Sequence, residues 1–113
     1  MRKTILIVDD DSGVRIALRE IFETLGHNSI GYENGEDTVS HISSADMLIT
    51  DFNMPPGMNG AELAKMAKCE RPDLPVIIMT GTRADVPSGH LANAVIEKPF
   101  DVELLEKVIT DFL

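Results

Sequence analysis

Short, uninterrupted apolar runs alternate along this chain with segments in which apolar residues return every three or four positions. Thr4 to Val8, Met47 to Thr50 and Pro75 to Thr80 are brief and mostly apolar. They read as strands covered on both faces, the kind that parallel sheets contain. Asn28 to Glu33 is a weaker strand, and Ala94 to Glu97 a short fifth one broken by Pro99. Between the first two, Val14, Leu18, Ile21, Phe22 and Leu25 keep helical spacing from Ser12, a candidate N-cap, to Gly26, a natural residue just past a helix end. Asn34-Gly35 turns into a short helix from about Glu36 to Ser43, with Val39 and Ile42 inward. Asn59-Gly60 opens a helix through Ala61, Leu63, Ala64, Met66 and Ala67 that must stop before Pro72. Pro87 and Gly89 interrupt any helix between Thr82 and Leu91. Asp101 then caps a last helix whose Leu104, Leu105, Val108 and Phe112 are expected to face the core.

Strands alternating with helices predict an α/β fold, a doubly wound five-stranded parallel sheet, because right-handed crossovers place a helix between successive strands. Periodicity does not order the strands, although the flavodoxin-like order 2-1-3-4-5 suits the alternation. A chain of 113 residues is expected to form one domain, 1–113. Its formal net charge of −9 argues against nucleic acid and anionic lipid as partners. No run approaches a membrane span. The lone cysteine, Cys69, has no internal partner and is expected to be structural; a reducing compartment, the cytoplasm, is the expected location.

Chemistry collects where the strands end. Asp9 and Asp10 follow the first strand, Asp51 closes the third, Thr80 the fourth, and Lys98 follows the fifth. In an open α/β sheet these carboxyl ends are where ligands bind. Carboxylates about 4 Å apart repel by roughly 4 kcal/mol at an effective dielectric near 20, so either one protonates or a cation fills the gap. A hard divalent ion such as Mg²⁺ takes carboxylate oxygens and keeps waters for a phosphate. A carboxylate beside it can attack a phosphoryl group, whose oxygens an amine and a hydroxyl would stabilise. Taken singly, each residue has a plainer use: Asp11 as a helix-start acid, Lys98 as a solvated lysine, Thr80 as an ordinary strand end.

Together, Ile5-Leu6-Ile7-Val8-Asp9-Asp10, the Asp51 strand with Met54-Pro55, Asn59-Gly60, Met79-Thr80-Gly81 and Lys98-Pro99-Phe100 resemble the receiver domains of bacterial two-component response regulators, over the whole chain and in order. The resemblance implies the 2-1-3-4-5 sheet flanked by five helices. It implies that Asp51 accepts a phosphoryl group from a histidine kinase or a histidine phosphotransfer protein. Asp10 and Asp51 would contact Mg²⁺ directly, Asp9 partly through water, and the backbone carbonyl of Asn53 would complete the protein ligands. Thr80 and Lys98 would bind the phosphoryl oxygens, and an output protein would dock on the fourth helix, fifth strand and fifth helix. A monomer or weak dimer is expected, and the chain ends with its last helix, so no output domain is expected within it. Three departures stand out. The loop Met54 to Gly60 is one residue longer than usual, Thr80 to Lys98 is several shorter, and Val95 replaces the usual Tyr or Phe. The fourth helix is therefore expected to be shortened or irregular.

Other readings fit less of the sequence. A haloacid-dehalogenase-type phosphatase would use the Asp9-Asp10-Asp11 spacing, but it needs a second acidic pair beyond the lysine, and only Pro-Phe-Asp and a helix follow Lys98. A flavodoxin-like nucleotide carrier would need backbone donors where three carboxylates stand. A receiver-like interaction domain that is never phosphorylated remains, against the complete acid, Thr and Lys set. His27, His41 and His90 lack metal-ligand spacing, and Met54 and Met58 are expected to pack the loop.

Overall fold

The five apolar runs form one parallel sheet in a computed structural model that describes residues 2–113. The strands are β1 (Thr4–Val8), β2 (Asn28–Tyr32), β3 (Met47–Asp51), β4 (Val76–Thr80) and β5 (Ala94–Glu97), in the order β2-β1-β3-β4-β5. The α-helices are α1 (Ser12–Thr24), α2 (Gly60–Glu70) and α3 (Val102–Phe112). Two connections carry only 3-10 helices, Val39–Ser44 and Arg83–Asp85. No helix among the described residues is long and apolar enough to cross a membrane.

Alternation along the strands sorts the core into two layers. Leu6, Val8, Leu48, Val76 and Ile78 pack on Leu63, Ala64 and Ala67 of α2 and on Ile42. Ile5, Ile7, Met47, Ile49, Ile77, Met79 and Ile96 pack on Leu18 and Phe22 of α1 and on Leu105 and Ile109 of α3. β1, β3 and β4 have neighbours on both edges and helices on both faces, which is why their sequences hardly alternate in polarity.

Local chemistry moves several boundaries. Asp11, not Ser12, caps α1: its backbone is extended and its carboxylate accepts the Gly13 N–H at 2.8 Å. Past the other end, Gly26 takes φ 86° and the His27 N–H reaches back to the Phe22 carbonyl, closing the helix. β2 stops at Tyr32, one residue before Glu33. The α-helix expected from Glu36 is a 3-10 helix that starts only at Val39, because Asn34 ties up the preceding turn by accepting from Asp37 N–H and from the Thr38 hydroxyl. The fourth helix is reduced to the single turn Arg83–Asp85, so three α-helices, among the described residues, stand where the resemblance implied five. In α3 the inward positions are Leu105 and Ile109; Leu104, expected inside, is 52 % exposed. Cys69 is exposed as well, which removes the structural role expected for it.

The amino ends of the strands are stitched by side chains. Arg71 Nη1 donates to the carbonyls of Ser43 and Ala45 at 3.1 and 2.9 Å. Lys68 Nζ donates to the Leu74 carbonyl and to Asn93 Oδ1 at 2.6 and 2.7 Å, and Asn93 Oδ1 also accepts the Val76 N–H. Asp46 Oδ2 accepts the Thr4 N–H at 2.8 Å.

Candidate functional site

Parallel pairing brings the carboxyl ends of the strands to one edge. Val8 lies opposite Thr50, Asp51 opposite Met79, and Thr80 opposite Glu97. The residue at or just past each end therefore faces the same space. Asp9, Asp10 and Asp51 each offer a carboxylate oxygen, all within 4.8 Å of one another. Lys98 Nζ sits 2.8 Å from Asp9 Oδ2 and 3.2 Å from Asp51 Oδ1. The side chain of Asp9 is wholly buried, that of Asp51 is 11 % exposed, and Asp10 is open to solvent.

Each side chain has a local reason for its place. Asp9 Oδ1 accepts the Asp11 N–H at 2.9 Å, and Arg15 Nη1 donates to the Asp9 carbonyl at 2.6 Å, fixing the turn from β1 into α1. Asp51 is the last residue of β3, and the next one, Phe52, donates its N–H to the Met79 carbonyl at 2.8 Å. α2 then starts unusually close to β3. A Cβ on Gly60 would fall 2.5 Å from the Asp51 carbonyl oxygen and 2.9 Å from Phe52 Cα, so only glycine fits. Asn59 and Glu62 form a reciprocal capping box there. Lys98 precedes Pro99 through a cis peptide bond, and its own N–H donates to the Thr80 carbonyl at 2.8 Å.

One ammonium among three carboxylates leaves two negative charges unmatched. Burial and that shortage together set the titration behaviour. Burial, then the charge of Asp9, raises the Asp51 carboxyl above its ordinary value, although Lys98 pulls the other way. Burial alone would lower the Lys98 ammonium, but Asp9 and Asp51 outweigh it and raise the group. The two shifts do not conflict. Lys98 has two anions to itself, whereas each anion shares one cation and faces like charge.

Thr80 lies at the same edge, 4 % exposed, with its hydroxyl turned onto its own chain. It donates to the Thr82 carbonyl and accepts the Thr82 N–H, both at 3.1 Å. Asn53 is exposed on the loop after β3. Met54, next to it, is buried with its sulfur 3.9 Å from the Thr50 hydroxyl, and Met58 packs against the α2 side of the core, so both methionines pack as expected. The histidines lie elsewhere: His27 accepts from the Lys3 N–H, His41 stacks on Tyr32, and His90 accepts from the Ala92 N–H.

The fold and the clustered acids, hydroxyl and amine match one family in sequence as well. The model of the response regulator receiver domain matches residues 5–110. This chain belongs to that family. The receiver is 34 % identical over 122 residues to the DNA-binding transcriptional regulator NtrC of Salmonella typhimurium, covering 98 % of this chain but 26 % of that protein. It thus spans about a quarter of that relative's length. It is 35 % identical over 119 residues to a chemotaxis protein CheY homolog of Campylobacter jejuni, covering 96 % of this chain and 91 % of the relative. In structure it is similar to the response regulator TrrA of Thermotoga maritima in complex with Mg²⁺-BeF. The TM-score is 0.88 at 30 % identity, with 98 % of this chain and 99 % of that one covered. TrrA has also been solved with the histidine kinase ThkA, a match of TM-score 0.86 at 28 % identity covering 98 % of each chain.

Two residues that shape this receiver's surroundings leave no mark in the chain's local pattern, and a third shows only half of its role. Arg15 is a polar position on α1 whose reach to the Asp9 carbonyl no spacing announces. Asn59-Gly60 marks the start of α2, but not the close approach to β3 that requires glycine there. Glu36, which accepts the Met58 N–H at 2.9 Å, gave no signal, because its contact is 22 residues away.

Proposed function

We propose that this receiver is a cytoplasmic phosphoacceptor that takes a phosphoryl group from a phosphohistidine, on a histidine kinase or histidine phosphotransfer protein, onto Asp51. The P–N bond breaks, a P–O bond to Asp51 forms, and the released imidazole keeps the electron pair and takes up a proton. The observation that carries the reading is the charge shortage: three oxygen donors within 4.8 Å of one another, answered by one ammonium. An oxygen-only donor set with two unmatched negative charges fits Mg²⁺. Asp10 and Asp51 would hold it directly, Asp9 partly through water, with the Asn53 carbonyl completing the set. When bound, the ion supplies charge neutralisation for the acids and for the phosphoryl oxygens.

The remaining steps belong to the chain. Lys98 holds Asp51 Oδ1, leaving the second oxygen for attack, and its ammonium stays within reach of the transferred group. Thr80 offers its hydroxyl to the phosphoryl oxygens by giving up its two bonds to Thr82. That exchange creates two states with different affinity for a docking partner. Two observations favour a second reading, an interaction domain that is not phosphorylated: the segment after Thr80 holds a single 3-10 turn, and Val95 packs against the core layer where the resemblance implies an aromatic. Incubation with acetyl phosphate and Mg²⁺ followed by mass spectrometry separates the two. One added phosphoryl group, lost in Asp51→Asn, is expected. Equal labelling of that variant refutes Asp51, and no labelling of either chain favours the second reading.

A further inference from the structure

The acid pocket opens onto a cleft of about 470 Å³ whose lining includes Asp10, Glu36 and the run Pro55-Pro56-Gly57. One wall is the turn after β2, and the other is the long loop after β3. That second wall is thinly held. Gly60 N–H closes the loop onto the Phe52 carbonyl, and buried Met54 anchors its first turn. Among the described residues, one side-chain hydrogen bond reaches the main chain of residues 53–58, the Met58 N–H donating to Glu36 Oε2 at 2.9 Å. Pro55 and Pro56 have no N–H to contribute.

The two loops also interlock. A Cβ on Gly57 would overlap both carboxylate oxygens of Glu36, and a Cβ on Gly35 would fall 2.8 Å from Met58 Cγ. Neither glycine has the positive φ that would itself demand glycine; what a Cβ would displace at each is the far end of a flexible side chain, Glu36 or Met58. Each loop is thus empty where the other places a side chain. The Met58 N–H, followed by Glu36's own N–H, holds the Glu36 carboxyl below its ordinary value.

We infer that Glu36 is a positioning residue: with Gly57 and Met58 it clasps the loop that carries Asn53 and so sets how tightly the acid pocket holds a divalent cation. The inference rests on the Mg²⁺ reading of that pocket. With the clasp closed, the segment beyond Met54 is ordered before the ion arrives. With it open, binding must also order Pro55 to Met58, and affinity falls. Glu36 adds negative charge to the cleft too, and Gly57→Ala separates the two effects because it disrupts the clasp while keeping the charge.

The test uses the full chain and magnesium alone as the probe, with Glu36→Ala, Glu36→Gln, Gly57→Ala and the double variant Glu36→Ala/Gly57→Ala. Mg²⁺ dissociation constants are read by NMR titration and Met58 amide exchange by NMR without metal. Glu36→Ala and Gly57→Ala should each weaken Mg²⁺ about 10-fold, the size expected for a group that orients a ligand. The double variant should bind no more weakly than Glu36→Ala, since the added methyl then meets no carboxylate. Glu36→Gln, which keeps an acceptor oxygen, should stay within about 3-fold of the unsubstituted chain. Met58 exchange should accelerate about 10-fold or more in both single Ala variants. Additive losses in the double variant overturn the clasp, as does a Glu36→Gln loss equal to that of Glu36→Ala with Gly57→Ala unaffected. An unprotected Met58 amide in a chain that binds Mg²⁺ overturns the clasp alone. Failure of the unsubstituted chain to bind Mg²⁺, with Met58 protected, overturns the cation reading and the positioning role with it.

Discussion

Replacing Lys98 by Met should expose how much of this receiver's stability rests on one ammonium. The substitution keeps an apolar stem of similar length and leaves the three carboxylates with no cation. At an effective dielectric near 20, contacts of 2.8 and 3.2 Å are each worth about 5–6 kcal/mol before dehydration of the ammonium is set against them. That dehydration is incomplete, because the Lys98 side chain is 23 % exposed whereas that of Asp9 is fully buried. A second limit comes from titration. At pH 7 the site can escape by protonating one carboxylate, which from an ordinary value of 3.8 costs about 4 kcal/mol. The net loss should therefore fall at about 2–4 kcal/mol, in line with breaking a buried pair by removing one partner. For 113 residues, 1 kcal/mol corresponds to roughly 4 °C, so the melting temperature without metal should drop by about 8–16 °C. Scanning calorimetry with and without Mg²⁺ reads both halves of the prediction. With Lys98 gone, the pocket attracts a divalent ion more strongly, and Mg²⁺ should raise the variant's melting temperature by more than it raises that of the unsubstituted chain. A Lys98→Met chain that melts within about 2 °C of the original, with the same metal response, refutes the charge-shortage reasoning.

Two further predictions concern the same edge. The folded chain holds the Asp51 carboxyl above 3.8, so between that value and its folded value it binds more protons than the unfolded chain does. Stability from this group is full below 3.8 and is lost as pH rises through the folded value. Without metal, Asp51→Asn should accordingly match the unsubstituted chain at acidic pH and melt higher at neutral pH, with Mg²⁺ closing the gap; a gap independent of pH counts against the assignment. Gly60→Ala should be destabilising by about 1–3 kcal/mol despite alanine's better helix propensity, because the clash is with main-chain atoms that have nowhere to move. Urea denaturation measures it, and an unchanged or raised midpoint shows that α2 can shift away from β3.

Much of this was legible because burial writes itself into short stretches of sequence. β1, β3 and β4 are apolar throughout because both of their faces are covered, and that pattern survives without any tertiary knowledge. The order of the strands was not in the periodicity and came through the resemblance. Local competition explains the boundary errors. Asp11 outbid Ser12 for the cap, and Asn34 held the turn that would have begun a helix at Glu36. Leu104 and Ile109 differ because helical spacing allows several apolar stripes on α3, and only the neighbouring strands decide which one is covered. At the site, the residue types could be read from the strand ends, but not the orientation of the Thr80 hydroxyl or the reach of Glu36 to Met58. Those depend on contacts that no window of sequence contains.

The stitching by Arg71, Lys68 and Asp46 has a consequence for how this molecule can change shape. Those side chains bind the start of each interior strand to its surroundings, while the opposite rim relies on a few exchangeable contacts around charge. Rearrangement at the rim then need not loosen the other end. A domain divided this way can be reset many times by a small chemical event without approaching its own unfolding.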